Sequence, residues 1–189
     1  MRKAYQANAK LVITTSRRPT QRIREFCRDL QRVIPNSIRM NRGKLSMDGL
    51  RAKASELGAD SVLIVEREKG GPGRITLMKS DTSGLWSHTS VLALSHIRTR
   101  REFESKGRGQ KIGAIVAAPS LNSRGRDLVT EISDFLGLSV VESFSKLRCV
   151  IDAYPHNGEV EFVVRIYPEG KEVGPSFTIG YTCQKASRE

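Results

Sequence analysis

Continuous apolar runs and apolar stripes at helical spacing alternate along the first half of the chain. The run that starts at Leu11 predicts a buried strand, and apolar positions recurring every three or four residues between Pro19 and Ile34 predict an amphipathic helix. Pro35 ends that helix, because proline cannot continue it. The elements predicted for this half are strand 11–15, helix 19–34, strand 37–41, helix 46–58, and strands 61–66, 74–78 and 86–97.

The second predicted helix carries its own start and stop signals. Ser46 is a favourable N-cap, Asp48 lies in the first turn where its charge suits the helix dipole, and Gly58 permits the left-handed conformation that closes many helices. We expect the buried stripe of this helix to consist of Met47, Leu50, Ala54 and Leu57.

The second half of the chain repeats the same kinds of signal. Asn122 or Ser123 begins a helix that Gly137 ends, and the predicted elements are strand 111–118, helix 122–136, and strands 140–142, 148–154, 160–167 and 176–183. The pattern predicts an α/β fold of two similar strand-helix-strand halves in tandem, with mixed sheets. We expect an N-terminal half at residues 1–97, a basic linker or loop at 98–111, and a C-terminal half at 112–189.

Basic residues collect at one edge of the sheet predicted for the first half. The order strand, helix, strand, helix, strand implies right-handed crossovers and a mostly parallel sheet, so the loops that follow the strands share an edge. Those loops contain Glu68 as their single acid and nine cations: Arg17, Arg18, Arg22, Arg24, Arg42, Lys44, Arg67, Lys69 and Arg74. The opposite edge, residues 35–37 and 58–61, has no cation. Ligands of open α/β sheets bind at the carboxyl ends of the strands, so the asymmetry predicts a phosphate-binding edge.

Both long helices begin among cations. Arg22 and Arg24 lie in the first turns of the first helix, and Arg124 and Arg126 lie in the first turn of the helix in the second half. A helix N-terminus carries free N–H groups and the positive end of the dipole, so cations there are unfavourable unless an anion binds. Arginine is also the residue best suited to bidentate phosphate contacts.

Two other basic segments are open to more than one interpretation. Arg24, Arg28 and Arg32 form a row opposite the apolar stripe of the first helix, which we interpret as a solvated face with weak ion pairs. Segment 98–111 holds six cations, two acids and one aromatic residue, Phe103. It is either a flexible loop that orders on RNA or a solvated linker.

Composition favours a nucleic-acid partner. The 189 residues include 32 Lys and Arg against 20 Asp and Glu, a formal charge of +12. The three cysteines, Cys27, Cys149 and Cys183, are odd in number and far apart, which indicates buried thiols in a reducing compartment. No apolar run approaches the roughly 20 residues that span a bilayer, so we expect a cytoplasmic protein with no membrane contact.

Signatures of enzymes and cofactor sites are absent from the sequence. The glycines between 107 and 113 miss the dinucleotide-binding spacing, and neither Gly43-Lys44 nor Gly170-Lys171 belongs to a phosphate loop. His88, His96 and His156 lack metal-ligand spacing, and no carboxylates cluster. We expect no catalysis, no cofactor, no metal and no small-molecule substrate.

Two segments resemble the Brix-domain ribosome-biogenesis proteins. Segment 13–22 reads ITTSRRPTQR and is followed by VIPNS at 33–37 and NRGK at 41–44, which resembles the opening signature of that family. Segment 172–177, EVGPSF, resembles its closing element. The likeness is greatest to the branch that serves the eukaryotic small-subunit processome. The absence of the long flanking extensions of eukaryotic members suggests a compact archaeal type. One departure is segment 85–91, where many members carry Gly-Pro-Thr before a strand.

The resemblance implies a bilobed domain whose halves are each similar to the anticodon-binding domain of class II aminoacyl-tRNA synthetases. It also implies binding to precursor ribosomal RNA during ribosome assembly and rRNA processing, without catalysis, alongside another assembly protein. Together with the charge pattern it gives the residues that we expect to contact RNA: Arg17, Arg18, Gln21, Arg22, Arg24, Asn41, Arg42, Lys44, Lys69, Arg74, Arg124 and Arg126.

Two alternatives stay open at this point. One is a protein-binding scaffold with only non-specific RNA affinity, for which Trp86, Phe103 and Phe144 are candidate anchors, although each also suits a core position. The other is an RNA-modifying or RNA-cleaving enzyme whose catalytic groups converge from distant parts of the chain.

Overall fold

A computed structural model describes residues 10–68, 71–105, 110–143, 149–167 and 169–181. The elements in chain order are β1 (Lys10–Thr15), α1 (Gln21–Val33), β2 (Ser37–Arg39), α2 (Met47–Glu56), β3 (Ala59–Glu68), β4 (Gly71–Ser80), β5 (Trp86–Arg98), the 3₁₀ turn η1 (Arg100–Glu102), β6 (Ala114–Ala117), α3 (Ser123–Leu136), β7 (Ser139–Val141), β8 (Cys149–His156), β9 (Glu159–Ile166) and β10 (Lys171–Tyr181). Every predicted helix and strand therefore has a counterpart among the described residues.

All ten strands belong to one mixed sheet with the order β2-β1-β3-β4-β5-β10-β9-β8-β6-β7. Strands β1, β2 and β3 are parallel to one another, as are β6, β7 and β8. The ladders from β3 to β8 are antiparallel. The expectation of a mostly parallel first-half sheet holds only for β1, β2 and β3. The mixed sheets expected for the two halves form one continuous sheet, because β5 pairs with β10.

The main core lies on one face of the sheet, beneath α1 and α3. Thr20 caps α1 by accepting a hydrogen bond from the Ile23 amide at 3.3 Å, and the apolar stripe of α1 is buried against the sheet. The α3 stripe joins the same core. Residues near the C-terminal ends of both helices, Leu30 and Phe135 among them, line one apolar interior space. The two helices thus converge at their C-terminal ends.

Helix α2 covers the other face of the first half. Ser46 accepts a hydrogen bond from the Gly49 amide at 3.0 Å, and Gly58 has a φ of +68°, so both end signals read from the sequence are confirmed. Leu50 and Ala54 are fully buried against β1, β3 and β4. Leu57, which the stripe was expected to bury, is exposed because the helix has already ended at Glu56.

Helix α3 has the boundaries that its sequence indicates. Asn122 is the N-cap and accepts from the Gly125 amide at 2.7 Å. Gly137 ends the helix at a φ of +65°. Cys149 is buried at the start of β8, and Cys27 is buried in α1. Cys183 lies outside the described residues.

Segment 99–103, where the sequence suggested a loop or linker, packs against the molecule through the buried Thr99 and Phe103, while Arg101 and Glu102 stay exposed. Phe103 is 5% exposed, because its ring lies against Gly174 of β10. The guanidinium of Arg98 lies 4.1 Å from the centre of the Phe103 ring. Phe177 of β10 contacts Phe26 of α1 edge-on and stacks on Phe162 of β9. Segment 172–177 therefore connects the paired strands β5 and β10 to the main core beneath α1 and α3.

Candidate nucleic-acid interface

The loops after β1, β2 and β3 leave the sheet side by side. Because the three strands are parallel, their carboxyl ends lie at the same edge. The Ser16 amide donates to the Val65 carbonyl at 2.9 Å, and the Met40 amide donates to the Ile13 carbonyl at 3.0 Å. The Thr14 hydroxyl donates to the Met40 carbonyl at 2.8 Å. These bonds hold the starts of the basic loops against one another.

We call the predicted contact residues at this edge the basic edge: Arg17, Arg18, Asn41, Arg42, Lys44 and Arg74. Arg17, Arg18 and Lys44 are exposed. Asn41 is exposed too, and its side-chain oxygen accepts a hydrogen bond from Arg39 at 3.0 Å. The N-termini of α1 and α2 follow the same loops, so positive helix ends add to these charges.

Arg42 differs from its neighbours because it is buried, with 7% of its surface exposed. Its Nε donates to the Leu45 carbonyl at 3.4 Å, and an Nη lies 3.0 Å from the Met47 sulfur. Burial lowers the pKa of the Arg42 guanidinium, and the nearby charge of Arg17 lowers it further. Arg42 thus shapes the turn that presents Lys44, while its charge reinforces the positive potential of the basic edge.

One acid that the charge count omitted lies at this edge. Glu66, near the end of β3, pairs with Arg74 at 3.3 Å and accepts from the Thr76 hydroxyl at 2.9 Å. The negative charge of Glu66 acts to raise the pKa of Arg42, but burial has the larger effect and the pKa stays lowered. Lys69, also predicted to contact RNA, lies outside the described residues.

Side chains at the start of α1 have protein partners to differing degrees. Arg22 donates to the Ile97 carbonyl at 2.6 Å and pairs with Glu102 at 2.8 Å, which joins α1 to the turn η1. Gln21 donates to Glu25, one helical turn away, at 2.9 Å. Arg24 is exposed. Arg22 therefore has a structural contact whether or not it also meets a phosphate.

Arg124 and Arg126 are not brought together with the basic edge. Five antiparallel ladders separate β3 from β8, so β6 runs opposite to β1, and the loop from β6 to α3 lies at the other edge of the sheet. Arg126 donates to the Leu121 carbonyl at 2.9 Å, and Arg124 lies 5.0 Å from the centre of the Tyr181 ring. The two basic helix starts thus face away from each other.

The edge that was expected to lack cations receives one from the second half of the chain. Lys111 donates to the carbonyls of Gln31 at 2.8 Å and Ile34 at 3.1 Å, at the C-terminal end of α1. Burial lowers the pKa of this amine. A cation there stabilises the negative end of the helix dipole.

Contacts between residues distant in sequence could not be inferred from spacing. His96 and His156 lie edge to face with their ring centres 5.2 Å apart, and His156 lies 3.8 Å from Glu161.

Within the described ranges, no three His, Cys, Asp or Glu side chains form a group suited to a metal ion. No helix in the described part of the chain is long and apolar enough to cross a membrane.

Comparison with known proteins identifies several relatives. The chain is 34% identical over 173 residues to a probable Brix domain-containing ribosomal biogenesis protein of Methanococcus maripaludis, covering 89% of this chain and 94% of that protein. The protein of the same description from Pyrococcus horikoshii is 39% identical over 97 residues. That match spans 51% of this chain and 43% of the Pyrococcus protein, so this chain matches less than half the length of that relative. No family model matches the chain.

A yeast protein and a solved structure are also similar. The U3 small nucleolar ribonucleoprotein protein IMP4 of Saccharomyces cerevisiae is 28% identical over 68 residues, which cover 36% of this chain and 23% of that protein. The crystal structure of a probable ribosomal biogenesis protein from Aeropyrum pernix superimposes with a TM-score of 0.73 at 24% identity, covering 93% of this chain and 98% of that one. The structural likeness shows that the fold is shared.

Proposed function

The chain belongs to the Brix-domain family of ribosomal biogenesis proteins, and we propose that it is a non-catalytic assembly factor that binds precursor ribosomal RNA through the basic edge. The observation that carries the proposal is the convergence of exposed Arg17, Arg18 and Lys44 at the carboxyl ends of three parallel strands. Contacts from these side chains to phosphates supply affinity, and Asn41 or Gln21 adds polar contacts to bases or 2′-hydroxyls.

The exposed cations of the basic edge can be replaced without changing the buried or paired arginines beside them. In the variant Arg17→Ala/Arg18→Ala/Lys44→Ala the buried Arg42 and the pair formed by Arg74 stay intact. Replacing three cations elsewhere, the exposed Lys53 and Lys171 and the half-buried Lys79, gives a control of equal charge, Lys53→Ala/Lys79→Ala/Lys171→Ala. Filter retention across a salt series measures binding of both variants to small-subunit precursor RNA and to an unrelated RNA of equal length.

We expect the basic-edge variant to lose most of its RNA affinity and the control variant to keep most of it. If three phosphate contacts to single-stranded RNA disappear, the slope of log K against log salt becomes shallower by about 2. Equal affinity of the two variants would refute the site. Equal, weak binding of the unaltered protein to both RNAs would refute specific recognition by this chain alone and favour the scaffold alternative.

We also propose that a second ribosome-assembly protein works alongside this one, in the cytoplasm. The yeast relative is named as a ribonucleoprotein protein, and this name supports the proposal of a protein partner.

We also propose that the two halves are similar units of the kind found in anticodon-binding domains of class II aminoacyl-tRNA synthetases. In support, the strand order β2-β1-β3-β4-β5 from one side of the sheet matches β7-β6-β8-β9-β10 from the other.

A further inference from the structure

A polar cleft lies beside the outer face of α1, away from the basic edge. Its volume is about 290 Å³, and it is lined by Glu25, Arg28, Asp29, Arg32, Arg100 and Arg101, which we call the arginine cleft. Helix α1 supplies four of these residues and the turn η1 supplies two. The cleft exists because residues 99–103 pack against the molecule, so the sequence pattern alone did not indicate it.

The two acids of the cleft hold its walls together. Asp29, 4% exposed, accepts the Arg100 amide at 2.9 Å and pairs with the Arg32 guanidinium at 3.3 Å. Glu25 pairs with Arg101. Each guanidinium has five N–H donors, and one carboxylate oxygen engages only part of that set. The paired arginines therefore keep donors for a further acceptor, with their positions fixed by carboxylates.

The charge of the arginine cleft favours an anion. Four guanidinium groups against two carboxylates leave a net charge of two positive units. Arg28 is exposed, and it has no hydrogen bond or ion pair to any residue that the structure describes. A tetrahedral phosphate with several acceptor oxygens suits forked donors that converge from two elements.

We propose that the arginine cleft binds a phosphate group, and that the phosphate belongs to the RNA backbone; the second part rests on the proposed function. Arg24, Arg28 and Arg32 follow one another at four-residue intervals on α1, a rise of about 6 Å each. This row extends from the N-terminal end of α1, which the basic edge adjoins, to the arginine cleft. A strand bound at the basic edge continues along it.

The test uses Arg28, whose replacement breaks no described contact. Arg28→Ala and Arg28→Glu are compared with Lys53→Ala, an exposed cation on α2, in RNA retention across a salt series. Side-chain NMR of the arginine Nε–H groups, with inorganic phosphate added at constant ionic strength, reports on the cleft without RNA. Thermal melting checks that each variant is folded.

We expect Arg28→Ala to weaken binding of all RNAs about equally and to make the salt slope shallower by about 0.7 to 1, with a larger loss for Arg28→Glu. We also expect phosphate to shift the cleft resonances of the unaltered protein. A phosphate shift with unchanged RNA affinity in both Arg28 variants would overturn the RNA source. Unchanged affinity without any phosphate shift would overturn the site. If the unaltered protein binds no RNA, the proposed function fails, while the phosphate shift still reports on the cleft.

Discussion

Gly174 offers the sharpest test of how the two halves of the sheet are joined. Its φ is +61°, and a Cβ added there would lie 2.4 Å and 2.5 Å from two ring carbons of Phe103. The left-handed backbone costs an alanine about 1 to 2 kcal/mol. Overpacking against a buried ring adds about 1 to 3 kcal/mol. Gly174→Ala should therefore destabilise the protein by about 2 to 5 kcal/mol.

The chain contains a matched control for the backbone component. Gly58 has a φ of +68° with no atom within 4 Å of an added Cβ, so Gly58→Ala should cost only about 1 to 2 kcal/mol. Urea denaturation of both variants gives the two free energies of unfolding. In a Phe103→Leu background, Gly174→Ala and Gly58→Ala should lower the free energy of unfolding by more nearly equal amounts. Equal costs in the unaltered background would refute the claim that the Phe103 contact restricts position 174.

Two further predictions concern titrating groups. Burial raises the pKa of Cys27 to about 12 and that of Cys149 to about 11, so both thiols should be nearly inert to Ellman's reagent at pH 8 in the folded protein. Rapid labelling of Cys27 or Cys149 without unfolding, located by peptide mapping so that any labelling of Cys183 is counted separately, would contradict this. For Glu102, burial acts to raise the pKa, but hydrogen bonds from Thr99 and the charge of Arg22 outweigh it and hold the pKa below the ordinary 4.5. The folded-state pKa is thus depressed, so the stabilising contribution is present above pH 4.5 and lost as the pH falls through the folded value. Melting curves should show the difference between the unaltered protein and Glu102→Gln shrinking at low pH, and a constant difference would refute the linkage.

Features set by local chemistry could be predicted from the sequence. Ser46 begins a helix, and Gly58 and Gly137 end helices, through contacts within a few residues of themselves, so their residue types suffice to place the boundaries. The parallel arrangement of β1, β2 and β3 follows from their helical connections. This is why the loops of the basic edge were expected to converge.

Features set by distant partners could not be predicted in this way. Arg42 and Lys44 are two residues apart and each carry one positive charge, yet one is buried and the other exposed. Arg22 meets Glu102 across 80 residues of chain, and Phe103 is buried by Gly174. Such contacts depend on how β5 and β10 pair, which hydrophobic periodicity does not specify.

The length of each strand in the sheet order has a consequence for solubility. The outermost strands, β2 and β7, are three residues long, so the sheet ends in very little unpaired backbone. The longest strands, β5 with 13 residues and β10 with 11, occupy the centre and pair with each other. A chain cut between them would expose a long unpaired edge on each fragment, the type of edge that drives aggregation or strand exchange. Keeping both halves in one polypeptide lets each cover the other's longest strand as soon as β10 has been synthesised.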